Sequence, residues 1–274
     1  MALALTVLDT SACGSLYVAS LLVCFYALAA GPTGPDDLLV ASASPARPHT
    51  CLPLIHGVRL IRQAFPPSVL FVGALAALDR GKGRPDATPW RAPWEVLGAP
   101  RLRWERPLAR LKDLVDAHAD SKEKGWLGAV RELIATYEAF YGHEGAEKTG
   151  AAPGVPPLAY RHVMRWLYVV DESFVASLQR GDDVSLLLLA HFAPLLQNHR
   201  DSWFMRGWSE QLILAARAKL SPWYMSWMEW PLDAAGLLGE EGEEEGEEEE
   251  GESKEGGSES LVWLPDFVTV YPSP

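Results

Sequence analysis

Histidine and cysteine are the side chains that nucleophilic or metal chemistry would use, and neither is spaced for it here. The histidines are His49, His56, His118, His143, His162, His191 and His199. None pairs with another histidine, or with a cysteine, at a metal-ligand spacing. Cys13, Cys24 and Cys51 are odd in number and form no CxxC, which argues against a metal site built from cysteines and against a disulfide framework. They read as buried or unreactive thiols of a reducing compartment. No GxSxG elbow, P-loop, GxGxxG or HExxH occurs. Gly81-Lys82-Gly83 is too short to cradle a phosphate, and His143-Glu144 follows a helix end, where histidine complements the dipole. No nucleophile–base or carboxylate pair stands out. The expectation is no enzyme, no metal and no cofactor.

Charge excludes another class. The formal net charge is −12, but residues 240–259 alone hold twelve glutamates and one lysine, leaving about −1 for the rest. A near-neutral body with an acidic appendage has no electrostatic footprint for nucleic acid. Residues 236–260 are mostly Glu, Gly and Ser and are not expected to bury enough surface to order. The apolar tail 261–274 (LVWLPDFVTVYPSP) follows, either docking on the body or serving as an interaction motif.

The most distinctive stretch runs from His191 to Leu232 and carries Trp203, Trp208, Trp223, Trp227 and Trp230. Aromatic residues at this density fill a core or line a slot for an apolar ligand. His191, Phe192, Phe204, Trp208 and Leu212 are the candidate ligand-lining residues. In that reading His191 supplies the one polar contact; in the other it is a neutral core histidine. Arg206 is expected to pair with Glu210 one turn on, at about 0.2–0.5 kcal/mol.

Elements of 3.6-residue period must position these residues. Helices are expected over 12–30, 51–64, 68–78, 106–118, 125–141, 158–170, 172–180, 182–197 and 203–220. Gly31-Pro32, Pro66-Pro67 and Gly142 are stop signals. Asp182 or Asp183 is expected to cap one helix, Asp201 or Ser202 another, and Pro194 to kink the helix it interrupts. Period-2 alternation is nearly absent. The expectation is an all-α, multi-helix domain over 1–235, then the acidic tract and the tail.

Residues 10–35 carry no charge and are long enough to span a membrane. Ala27-Leu28-Ala29 also resembles a leader cleavage site. Asp9, the Ala/Ser/Gly content and the lack of any Lys or Arg before Arg47 favour a buried helix. Membrane association is therefore the weaker reading.

The run from Asp182 to Leu232 resembles the C-terminal regulatory domain of fungal zinc binuclear cluster transcription factors, the sterol uptake control proteins above all. The residues that carry the likeness are His191-Phe192-Ala193, Trp203-Phe204, Gly207-Trp208 and Trp230-Pro231. Ser20–Ala30 and Gly57-Val58-Arg59 fit the family's early helices. The resemblance implies an all-helical nuclear regulator of RNA polymerase II genes, sensing a sterol or other apolar ligand and meeting the transcription machinery or co-regulators. Before activation such a protein is cytoplasmic. The family's paired CxxCx6C zinc module is not present in this sequence, so no direct DNA binding is expected of it. The alternative is a helical protein-interaction domain without a ligand.

Overall fold

The computed structural model describes residues 12–32, 34–40, 51–78, 93–96, 98, 100–118, 120–142, 159–200 and 202–238. The acidic tract from Glu240, the tail 261–274, His49, His143, Asp201 and the Gly81–Gly83 loop lie outside them. Among the described residues the chain is helical, with no strand. The longer helices are α1 (Cys13–Ala29), α2 (Cys51–Ala64), α3 (Glu105–Ala117), α4 (Trp126–Tyr141), α5 (Ala159–Val169), α6 (Glu172–Gln179), α7 (Asp183–Phe192) and α8 (Trp208–Lys219). Short turns of helix occur at Pro67–Leu70, Pro93–Val96, Pro194–Gln197 and Glu229–Ala234, and 3-10 segments at Gly73–Leu78 and Pro222–Met228. No described helix is long and apolar enough to cross a membrane.

Helix α7 is the centre. Its sequence, DVSLLLLAHF, has no polar face, and every residue from Val184 to Phe192 is buried. A helix that is apolar all round must be surrounded. Helices α3, α4, α6 and α8 pack on it, together with the turns at 194–197, 222–228 and 229–234. Each leucine so buried contributes about 1.5–3 kcal/mol. The remaining contacts close a ring: α1 on α2, α2 on α5, α5 on α4, α4 on α7, and α7 on α8. Helix α8 returns to α1 through the Trp208 indole N–H, which donates to the Leu28 carbonyl at 2.8 Å.

Helix α1 is uncharged along its whole length and buries Tyr17, Leu21, Cys24, Phe25 and Leu28 on one side. It ends where Gly31 takes φ 73°. At its other end Gly14 lets the helix approach the Pro67–Leu70 turn. A Cβ there would lie 2.6 Å from the Leu70 carbonyl oxygen and 2.7 Å from Leu75 Cδ1.

Several expected details differ. The helix expected over 68–78 is divided, with a four-residue turn ending at Leu70 and a 3-10 segment from Gly73. The helix expected from residue 203 begins at Trp208. Gly207 at its N-cap takes φ 78°, a left-handed backbone that a helix cannot pass through, so 202–206 form turns instead. Arg206 thus precedes the helix, and the helical i,i+4 relation to Glu210 is lost. Neither aspartate expected to cap α7 does so. Asp182 occupies the N-cap position without a capping hydrogen bond; it pairs with Arg180 at 3.0 Å. The Asp183 carboxylate instead accepts the Ser221 amide at 2.8 Å and the Ser221 hydroxyl at 2.7 Å. Pro194 acts as expected, ending α7 and opening the Pro194–Gln197 turn.

Gly14→Ala is expected to force α1 off the Leu70 backbone and to cost about 1–3 kcal/mol as an overpacking substitution. Denaturant unfolding of the variant checks this; an unchanged midpoint contradicts the close approach.

Candidate functional site

His191 sits at the end of α7 and is 2% exposed. Its Nδ1 lies 2.8 Å from the Leu187 carbonyl one turn back and must donate to it. This fixes the tautomer. The Trp230 ring stacks on it at 5.5 Å and 22°, and the Tyr137 hydroxyl donates to its carbonyl at 2.8 Å. Burial pushes the imidazole down to about 4; the Leu187 hydrogen bond opposes this and the Arg110 charge adds to it. A neutral, internally bonded, ring-covered histidine is a core residue.

The other candidate residues face different neighbours. Phe192 stacks on Trp166 at 4.5 Å and 21°, and the Trp166 indole donates to the Ala129 carbonyl at 2.9 Å. Phe204 meets Phe25 of α1 edge-on at 5.1 Å. Trp208 is tied to Leu28, and Leu212 is fully buried within α8. The five therefore do not line one slot. His191 and Phe192 look toward Trp230 and Trp166, whereas Phe204 and Trp208 look toward α1.

The five tryptophans also do not act together. Trp208 is buried, Trp227 and Trp230 are half-buried, but Trp203 is 65% exposed and Trp223 is 90% exposed. The expectation that all of them enclose the interior is corrected. The reason is local geometry. Pro222–Met228 is a 3-10 segment, whose side chains align every third residue. Tyr224 and Trp227 turn inward on that period, and Trp223 turns out.

A cavity does exist, elsewhere. It has a volume of about 10 Å³ and lies between α1, α2 and α5, lined by Phe25, Leu28, Ile55, Val58, Met164 and Tyr168 among others. That holds at most about one water, against roughly 300 Å³ or more for a small-molecule pocket. Phe204 and Trp208 touch its wall from behind, through Phe25 and Leu28. Its lining is chemically the same as the core, so nothing in the sequence marks it. Cys24 at its edge and Cys51 nearby are poor nucleophiles. Burial pushes both thiols up to about 12, and the Asp37 charge adds to the effect on Cys51.

The sequence reading missed the polar centre of the α4–α6–α7 junction. The Trp126 indole N–H donates to the Ser185 hydroxyl at 2.7 Å and lies 3.1 Å from the Ser177 hydroxyl. The two serines lie 2.5 Å apart. Two small hydroxyls inside apolar helical stretches were the available signal. Among the described residues no three His, Cys, Asp or Glu side chains converge as a metal site would require. Comparison with protein-family models, with curated proteins and with solved structures finds no match to this chain.

Two outcomes follow from this geometry. His56 is also buried, its Nε2 3.2 Å from the Leu167 carbonyl; burial and then Arg59 push it down to about 4. In the unfolded chain both histidines titrate near 6.5. The unfolded state therefore binds protons first as pH falls, and stability is lost between about pH 6.5 and about pH 4. Thermal unfolding across that window is expected to show a falling Tm, and a flat profile contradicts the buried neutral state. Trp208→Phe removes one of the two donors to the Leu28 carbonyl, which keeps the Gly31 amide at 3.0 Å, and is expected to cost about 0.5–1.5 kcal/mol, measured by denaturant titration.

Proposed function

We propose that this chain is a regulatory domain of the fungal zinc binuclear cluster transcription factor type. It acts in the nucleus on RNA polymerase II genes through co-regulators, without reading DNA itself. The observation that carries the reading is how the resembling residues are used. Trp230 covers His191, and Ala193 accepts a hydrogen bond at 3.0 Å from the hydroxyl of Ser209, the second residue of α8. Gly207 sets the start of α8, and Trp208 reaches the early helix at Leu28. That the short motifs quoted from the sequence sit at joints between helices is what supports the reading.

The ligand half of the reading is an apolar molecule such as a sterol at the α1–α2–α5 seam. The site moves there from the His191 cluster, whose polar groups are already satisfied. Admission of a sterol requires α1 to separate from α2 and α5. The filled interior also supports the second reading, a helical interaction domain that binds no small molecule and presents exposed Trp203 and Trp223 to partners.

Fused to a heterologous DNA-binding module, the full chain is expected to change reporter transcription relative to the module alone; equal output overturns the regulatory reading. Added sterol is expected to raise the Tm of the purified chain. A Tm unmoved across a panel of sterols and other lipids removes the ligand and leaves the interaction domain.

A further inference from the structure

We propose that the arginine-bearing face of α3 docks this chain's own glutamate tract, residues 240–259. Arg106 and Arg110 lie one turn apart on α3, and Arg103 lies just before it; all three are exposed. Arg106 and Arg110 project opposite Leu108, Leu111 and Val115, the buried side of the helix. Two neighbouring cations are paired, Arg101 with Glu105 and Lys112 with Asp116. The three arginines are not: among the described residues no carboxylate comes within the 4.0 Å of an ion pair. Asp113, further along the same face, and Glu229 and Asp233 on the adjoining turn are exposed and also stay beyond that distance.

The occupant is set by charge and by where the chain leaves the body. Arg110 lies over the Trp227 ring at 5.0 Å. Trp104 and Trp230 both lie against Tyr137, at 5.8 and 5.9 Å. Trp104, just before α3, and Trp230 of the turn at 229–234 thus share Tyr137 as a neighbour. The Leu237 amide donates to the Leu232 carbonyl at 2.8 Å, so the described chain ends at that turn. Gly239 alone separates Leu238 from Glu240, the first of twelve glutamates. A tract of this length spans up to about 70 Å when extended, so reach is no obstacle. Twelve like charges repel one another, and three arginines without an ion-pair partner lower that cost. Each exposed pair is weak and screened by salt. Tethering raises the local concentration of the tract to the order of mM, which lets several weak pairs act together. The docking is labile by construction, released by salt or by a competing polycation. It does not depend on the transcriptional reading.

The test is cleavage of the full chain by a glutamate-specific endoprotease, comparing the native protein with Arg103→Gln/Arg106→Gln/Arg110→Gln. Near 10 mM salt, where screening extends over about 30 Å, the tract of the native chain is expected to be cut several-fold more slowly. Near 1 M salt, where the length is about 3 Å, the two rates are expected to converge. Far-UV circular dichroism verifies that the variant is folded, and Arg106→Gln alone, expected to lose part of the protection, serves if the triple variant is not. Equal rates at low salt overturn the proposal. Protection that disappears on dilution also overturns it, since the tract then docks on a second copy.

Discussion

Four of the described helices, α3, α4, α6 and α8, are arranged around a helix that cannot touch water on any side. Once Val184 to Phe192 are apolar around the full circumference, other elements must supply a complete sheath. Only two polar side chains occur among those residues, Ser185 and His191, and each has a specific internal answer. Ser185 meets the Trp126 indole. His191 turns back on its own helix and is roofed by Trp230. An unmatched hydroxyl or imidazole at either place would cost more than its net hydrogen bond returns. The surrounding helices are therefore fixed in rotation as well as in position.

Much of the helical framework was legible in the sequence because periodicity and punctuation agreed. The stripe expected over 125–141 appears as Trp126–Tyr141, and 172–180 appears as Glu172–Gln179, opened by the Asp171 carboxylate accepting the Phe174 amide at 3.0 Å. What was not legible depends on backbone states that residue type marks only weakly. Gly207 reads equally well inside a helix or at its edge, and only its left-handed conformation settles the start of α8. The Ser221–Trp230 stretch looks uniformly aromatic, but a three-residue period sorts its rings into inward and outward sets.

The candidate site was less legible than the fold, for a related reason. Aromatic density signals that surface will be covered, not by what. Here protein covers protein at His191, Phe192 and Leu212, and the small gap opens instead among ordinary aliphatic residues of α1, α2 and α5. Sequence reasoning that looks for unusual residues passes over such a seam.

The bond between Trp208 and Leu28 joins positions 180 residues apart. During synthesis at about 5–20 residues per second, α1 emerges roughly 10–40 s before the indole that will cap it. For that interval an uncharged, leucine-rich helix waits on the ribosome with part of its apolar surface bare. Helix α2 can cover much of that surface early, and the strip facing Trp208 stays bare until the last third arrives.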